Sequence, residues 1–180
     1  LVDFEVLIYI IHFVSKNFFS ISIILVLVFS RLIPHPPNFT PIIAVSIMSG
    51  LLFRNFYLSL IVLLISMLLS DIIIGFHTNM IFVYLSLFLV CYISYTKVIK
   101  FNYKNLFIYS FLGSMVFFLI TNFGVWLSGN LYTPDLNGLI NCYILAIPFF
   151  TNTLISTVFF SYIAYSVTNI YEKKTHIYFN

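Results

Sequence analysis

The chain consists of long apolar runs separated by short polar breaks, a pattern typical of membrane-spanning helices. A helix needs about 20 consecutive apolar residues to cross the hydrocarbon core of a bilayer. Breaks at charged, polar and proline positions give six predicted spans: 17–33, 41–53, 56–76, 79–98, 105–127 and 139–167. The second is short and needs extra length from the segment before it. The predicted fold class is therefore an all-α membrane protein, a bundle of about six transmembrane helices.

The two ends of the chain differ from these spans. Residues 1–16 contain an apolar run that is too short to cross a bilayer, and it follows Asp3 and Glu5 instead of basic residues. A secretory signal needs basic residues at that position, so we expect an interfacial segment instead. The alternative is that this segment extends the first helix. Residues 17–168 form the predicted transmembrane domain, and residues 169–180 a cytoplasmic tail.

Composition supports this interpretation and excludes several functions. Hydrophobic residues make up 62% of the chain and charged residues only 7%, whereas a soluble domain carries about 25% charged residues. The net charge of +3 is scattered, so nucleic acid is not an expected partner. Cys91 and Cys142 form no disulfide framework. The lipid bilayer is the first predicted partner.

Basic residues predict the orientation, because cytoplasmic loops are enriched in lysine and arginine. With the N-terminus inside, Arg31 is the only basic residue on the outer side. The remaining basic residues fall on the inner side: Lys16, Arg54, Lys97, Lys100, Lys104, Lys173 and Lys174. We therefore expect a multi-pass protein of the inner (cytoplasmic) membrane with both termini cytoplasmic.

The Arg31–Pro41 connection, R-L-I-P-H-P-P-N-F-T-P, interrupts the apolar pattern with four prolines. Irregular backbone cannot face hydrocarbon, because its unpaired N–H and C=O groups cost several kcal/mol each. The connection must leave the bilayer or line a cavity. The topology puts it on the outer side, where we expect a structured lid.

Asp71 lies near the outer end of a strongly apolar predicted helix. A carboxylate at that position is costly and usually has a partner. Since Arg31 is the only basic residue predicted on that side, we expect an Asp71–Arg31 ion pair. A structural role and a substrate-binding role for the pair are both open.

A larger polar set falls in the outer half and could line an outward-facing pocket. The alternative is that outer loops are polar simply because they contact water. The predicted substrate-binding or structural cluster comprises Arg31, His35, Asn38, Thr40, Asp71, His77, Asn122, Trp126, Asn141 and Asn152.

Small or weakly polar residues form stripes at helical spacing, which lets helices approach closely in lipid. On the third span these are Ser59, Ser66 and Ser70. On the fifth they are Ser110, Gly113, Ser114, Thr121 and Gly124. On the sixth they are Asn141, Pro148, Asn152 and Ser156, and Pro148 is expected to break that helix. On the second span, Ala44 and Ser46-x-x-x-Gly50 mark a docking face for another membrane subunit.

Enzymatic chemistry has little support in the sequence. There is no His-Glu-x-x-His motif, serine-nucleophile elbow or phosphate loop. We expect a protein that is not an enzyme and carries no cofactor or metal. A ligating set of His35, His77, Asp71 and Cys142 is the remaining alternative, although its spacing matches no known ligand pattern.

Four sequence blocks resemble one uncharacterised family of small bacterial membrane proteins. They are R-L-I-P-H-P-P-N-F-T-P-I-I-A, M-L-L-S-D-I-I-I-G-F-H, F-F-L-I-T-N-F-G-V-W-L-S-G and A-I-P-F-F-x-N-T-L. In size, span number and orientation the chain is also similar to the S components of energy-coupling factor (ECF) transporters. This analogy at the level of fold implies a subunit for micronutrient or vitamin uptake with an outward-facing pocket. It further implies a small-molecule ligand, a transmembrane coupling subunit and ATPases as partners. The alternative is a non-transport scaffold or assembly protein without a ligand.

Overall fold

The regular secondary structure is helical throughout the part of the chain that the structure describes. A computed structural model describes residues 18, 21–53, 55–97, 101–128 and 131–178. The helices are α1 (Ile21–Leu32), α2 (Ile42–Phe53), α3 (Phe56–Ile74), α4 (Met80–Lys97), α5 (Tyr103–Ser128) and α6 (Leu136–Tyr178). The predicted all-α fold class is confirmed, and most helix ends lie within a few residues of the predicted spans. The interfacial segment expected at residues 1–16 lies outside the described residues.

Three helices, α3, α5 and the first 35 residues of α6, are long and apolar enough to cross a membrane. On α3 the serines Ser59, Ser66 and Ser70 are buried, while large aliphatic side chains such as Ile65 and Ile72 are exposed. A water-soluble core has the opposite arrangement, with large apolar side chains inside. The helix lengths and this reversed arrangement indicate a membrane protein.

Helix α2 is the centre of the bundle and packs against α3, α4, α5 and α6. Its residues are apolar all round, which is typical of a helix buried on every side. Ala44 is 1% exposed and Ser46 is fully buried. The expectation that these residues form a docking face for another subunit is therefore wrong, because the chain's own helices cover them.

Helices α3 and α5 end, and α4 and α6 begin, at one end of the bundle, which we call the α3–α4 end. Two contacts establish this arrangement. The Asn79 side chain donates to the Thr121 carbonyl at 3.1 Å, and the Cys142 Sγ lies 3.4 Å from the Asn122 carbonyl oxygen. At the opposite end, which we call the α2–α3 end, the Tyr162 hydroxyl donates to the Tyr103 carbonyl at 2.7 Å.

Helix α6 has 43 residues and continues through Pro148 without a break. The predicted interruption is wrong. Proline removes one backbone N–H and crowds the preceding turn, and in α6 the helix accommodates it at an exposed position. The helix also continues to Tyr178, so the predicted tail is helical from residue 169.

The first turn of α6 is fixed by Asp135, which lies just before it. The Asp135 Oδ1 accepts from the Gly138 backbone N–H at 2.6 Å and from the Thr133 hydroxyl at 2.7 Å. These bonds satisfy one of the free N–H groups at the helix start. The Gly138 N–H, followed by the Thr133 hydroxyl, lowers the pKa of the Asp135 carboxyl below its ordinary value.

The predicted small-residue stripes of α3 and α5 are confirmed as buried surfaces. All five residues of the α5 stripe are buried. The α6 stripe is only partly correct: Ser156 is buried and Asn152 is partly exposed, but Asn141 and Pro148 are exposed. Helix α6 packs against both α2 and α5, so its buried surface extends to either side of the predicted stripe.

Candidate functional site

The predicted Arg31–Asp71 ion pair is confirmed. The Arg31 Nη2 lies 2.6 Å from the Asp71 Oδ1. The Asp71 side chain is 0% exposed and the Arg31 side chain 14%. A buried carboxylate without a countercharge would be strongly unfavourable. The pair therefore joins the end of α1 to the last turns of α3, with the arginine on the accessible side.

Two residues that the sequence did not single out as partners complete this site. The Tyr84 hydroxyl, on α4, donates to the Asp71 Oδ2 at 2.8 Å. The Arg31 Nη1 contacts the Ser70 hydroxyl and also donates to the Met67 carbonyl at 3.3 Å. We call Arg31, Ser70, Asp71 and Tyr84 the Asp71 network. Arg31 pairs with one carboxylate oxygen and Tyr84 bonds to the other, so the network connects three helices.

The Arg31–Pro41 connection lies against α6. The Asn152 side chain donates to the Pro37 carbonyl at 3.2 Å, and the Ser156 hydroxyl donates to the Asn38 carbonyl at 3.4 Å. The rings of Phe39 and Phe160 meet edge to face, with centroids 5.9 Å apart. Successive residues of the connection therefore contact successive turns of α6.

These contacts place the connection beside the middle of α6. At about 1.5 Å per residue, Asn152 and Ser156 lie roughly 24 and 30 Å along α6 from its first residue. Cys142, which is level with Asn122 of α5, precedes Asn152 by about 15 Å on the same scale. We expected a lid at the end of the bundle. The connection instead lies against the middle of α6.

Proline explains how this irregular backbone is tolerated. The four prolines of the connection have no N–H group, which removes four donors that would need partners. Two of the remaining donors bond locally: Phe39 N–H to the Pro36 carbonyl at 3.0 Å, and Thr40 N–H to the Asn38 carbonyl at 3.1 Å. Asn38 adopts a left-handed conformation with φ 63°, which asparagine accepts more readily than most residues. Residues 33–38 are nonetheless exposed.

The remaining predicted site residues do not converge on one point. Asn122 bonds to the Phe118 carbonyl of its own helix at 2.8 Å, and the Trp126 Nε1 donates to the Thr133 carbonyl at 3.0 Å. His77 is exposed between α3 and α4, and Asn141 is exposed on α6. Three predicted members belong to the connection itself: His35 and Asn38, both exposed, and Thr40, partly exposed.

The alternative ligating set is not assembled. Asp71 is held by Arg31 and Tyr84, Cys142 is buried against α5, and the two histidines are exposed on separate connections. His35 Nδ1 lies 2.8 Å from the Pro36 carbonyl oxygen. Within the described residues, no three side chains of histidine, cysteine, aspartate or glutamate come close enough to hold a metal ion.

A family comparison covers nearly the whole chain. The model of one protein family matches residues 7–178. The chain belongs to the family of unknown function DUF6580. Searches among curated proteins and among solved structures find no match to it. Family membership therefore supports the resemblance to an uncharacterised family and assigns no activity.

This DUF6580 chain also has an open pocket at the α2–α3 end, which sequence reasoning missed. The pocket has a volume of about 350 Å³ and lies between the start of α3 and the end of α4. It is lined by Asn55, Phe56, Tyr57, Tyr92, Tyr95 and Thr96. Tyrosine at both ends of a span is common at membrane surfaces, so the aromatic lining has an ordinary explanation.

Proposed function

We propose that this chain is the solute-binding subunit of a micronutrient or vitamin uptake system, similar in role to an ECF S component. In this proposal it is a six-span protein of the inner membrane with both termini in the cytoplasm. The α3–α4 end faces outward. The solute enters a recess, which we define as the space bounded below by residues 33–38 and on one side by α6.

The position and exposure of the Arg31–Pro41 connection carry this proposal. Residues 33–38 are exposed and non-helical, yet the connection packs beside the middle of a helix longer than the hydrocarbon core. Irregular backbone at membrane depth is tolerated only where protein covers it or where it borders a water-filled cavity. Transporters use such interrupted segments to bind their solutes near the middle of the bilayer.

The chemistry around the recess favours an uncharged polar solute. Arg31 is the cation closest to the connection, and Asp71 balances its charge at 2.6 Å. The Asn152 amide and the Arg31 guanidinium supply hydrogen-bond donors, and the imidazole of His35 is exposed on the connection. A few fixed polar groups of this kind give a small-molecule site its specificity.

The absence of a phosphate-loop motif from the sequence makes partners part of the proposal. A transmembrane coupling subunit and ATPases would supply the energy for uptake. Their docking surface has to be on an outer helix face, because Ala44 and Ser46 of α2 are buried inside the bundle.

Mass spectrometry of the purified protein tests the proposal. Protein extracted in mild detergent is denatured, and the released small molecules are identified and counted per chain. We expect one polar molecule in near-stoichiometric amount from the wild type and a clear loss from Asn152→Ala. The matched control, Asn141→Ala, removes an exposed asparagine of the same helix away from the connection and should retain the molecule. Recovery of no small molecule and no copurifying membrane subunit would overturn the proposal.

A scaffold or assembly role is the second candidate, and one observation favours it. Asn122, Trp126 and Asn152, which were expected to face a solute, already bond to carbonyls of the chain itself. A packed plug would have this property. In that case the wild type and both asparagine variants release the same background of small molecules, and a partner protein copurifies without them.

A further inference from the structure

Four buried hydroxyl groups on α5 and α6 have no hydrogen-bond partner among the described residues. They belong to Ser110, Ser114, Thr157 and Ser161, and each of these side chains is fully buried. Buried polar groups in folded proteins nearly always have a partner, either in the protein or in ordered water. Four exceptions on two neighbouring helices therefore need an explanation.

Other buried hydroxyls of the same bundle are satisfied by their own helix. Ser66 donates to the Val62 carbonyl at 2.6 Å, Thr121 to Phe117 at 2.8 Å and Thr153 to Phe149 at 2.8 Å. This bond to the preceding turn is the usual solution for serine and threonine inside a helix. The hydroxyls of the four exceptions make no such bond, although a backbone carbonyl lies one turn before each of them.

Helical register brings the four hydroxyls to one seam. Phe150 of α6 contacts both Phe111 and Phe118 of α5, with centroids 6.3 and 5.1 Å apart. Ser114 lies on the same face of α5, one turn from Phe118. Thr157 lies two turns after Phe150 on the face of α6 that meets α5. Ser161 follows one turn later and Ser110 precedes Ser114 by one turn; we call these four residues the α5–α6 seam.

Aromatic contacts border the seam at both ends. Toward the α3–α4 end lies the Phe118–Phe150 pair. Toward the α2–α3 end, Tyr103 meets Tyr162 and Tyr165, with centroids 5.6 and 5.1 Å apart. The hydroxyls therefore lie between two groups of aromatic contacts.

We propose that the α5–α6 seam binds a row of buried water molecules. Water is both donor and acceptor, and a buried water makes about three hydrogen bonds to groups that the protein leaves unpaired. Serine and threonine side chains on facing helices supply such groups from both sides. No charged side chain belongs to the seam, so an ion has less to recognise there than water has.

This inference is independent of the solute proposed for the recess. It assigns α6 two polar surfaces: one, at Asn152 and Ser156, holds the Arg31–Pro41 connection, and the other is the hydrated seam with α5. Bound water lets hydroxyls on facing helices exchange partners without being desolvated. The seam therefore gives α5 and α6 a hydrated polar contact in addition to their aromatic contacts.

Water-edited solid-state NMR in lipid bilayers tests the inference directly. Magnetisation is transferred from water to threonine signals of the wild-type protein. Thr157 should show a transfer signal, whereas Thr153 should show none, because its hydroxyl is bonded to its own helix and it is equally buried. Absence of transfer to Thr157, or equal transfer to both threonines, would overturn the proposal.

Thermal unfolding of two isosteric variants provides the second readout. Thr157→Val keeps the side-chain shape but removes the group that holds water, and we expect its Tm to fall by about 2–4 °C. Thr153→Val is the matched control on the same helix and should shift Tm less. If the seam is dry, the unpaired hydroxyl is destabilising in the wild type. Thr157→Val would then be at least as stable as the wild type, and the proposal would be wrong.

Discussion

Two buried polar regions of this bundle are satisfied in opposite ways. In the Asp71 network, Arg31 pairs with one oxygen of a fully buried carboxylate and Tyr84 bonds to the other, so that three helices are joined. In the α5–α6 seam, four hydroxyls on two helices find no protein partner in the described part of the chain. The charge of the first region is balanced within the protein, whereas we propose water as the partner of the second.

The difference teaches how strongly each region depends on a single side chain. A charge pair buried with its hydrogen bonds resists separation, because separation exposes an uncompensated charge to a low-dielectric surrounding. Neutral hydroxyls that share water have no such penalty. We therefore expect substitutions in the Asp71 network to cost more stability than substitutions in the α5–α6 seam.

Removing the carboxylate should have the largest effect. Asp71→Ala leaves the Arg31 guanidinium partly buried without its countercharge, and we expect the free energy of unfolding to fall by about 3–5 kcal/mol. Chemical denaturation in detergent micelles measures this loss.

Two variants control for the Asp71 result. Ser66→Ala removes a buried hydroxyl on the same helix and should cost much less. The double variant Arg31→Met/Asp71→Leu replaces the pair by apolar groups and should recover most of the loss, as for other buried pairs. If the double variant is no more stable than Asp71→Ala, the effect does not arise from the unpaired charge.

Removing one hydroxyl from the network should have an intermediate effect. Tyr84→Phe deletes the 2.8 Å bond to the Asp71 Oδ2, and a hydrogen bond to a charged group contributes about 1.5–3 kcal/mol. Tyr92→Phe, at a largely exposed tyrosine of the same helix, is the matched control and should be nearly neutral. Equal stability of the two variants would show that Tyr84 is not part of the network.

The two glycines of α5 lie where this helix packs closely against neighbours other than α6. A Cβ at Gly124 would overlap the Asn79 side chain and the Phe82 ring, so Gly124→Ala should cost about 1–3 kcal/mol. At Gly113 the nearest atom is the Ile47 Cδ1 at 2.8 Å, the end of a flexible side chain. Gly113→Ala should therefore cost less, and the reverse order in a denaturation assay would contradict this packing.

The start of α6 should show the smallest effect, and one that depends on pH. The Gly138 N–H and the Thr133 hydroxyl lower the pKa of Asp135 in the folded state. Its contribution is therefore fully present above the unfolded pKa of about 3.9 and is lost as pH falls through the lower folded pKa. The Tm difference between wild type and Asp135→Ala should shrink in that acidic range. A difference that is constant from neutral to strongly acidic pH would contradict the bond to the carboxylate.

The Arg31–Asp71 ion pair could be predicted from the sequence, and the physical reason is scarcity. Asp71 is a lone carboxylate in an apolar helix, and Arg31 is the only basic residue on its predicted side. Two isolated opposite charges in an apolar chain have few ways to be compensated. Most helix bounds were also predictable, because those helices begin or end at a polar, charged or proline break; the exception is the end of α6, which continues to Tyr178.

The rest depends on how far each helix extends through the bundle, which composition does not encode. Nothing near Pro37 points to Asn152, more than a hundred positions later, so the depth of the Arg31–Pro41 connection could not be predicted. Tyr84 was missed because one hydroxyl in an apolar helix gives no pairing signal. The central place of α2 could have been inferred, since a helix that is apolar all round is normally buried.

The central claim is that a water-filled recess lies above the connection. The accessibility of a spin label at residue 35 tests this claim most directly. The label is placed by His35→Cys in a chain whose Cys91 and Cys142 are replaced by alanine, and power-saturation EPR is recorded in lipid bilayers. A label at Ile72, an exposed aliphatic position of α3, serves as the lipid-facing reference. We predict that the label at residue 35 collides more with a water-soluble nickel complex than with oxygen, whereas the label at Ile72 shows the opposite. Oxygen-dominated collisions at residue 35, matching those at Ile72, would mean that the connection faces lipid and would contradict the recess.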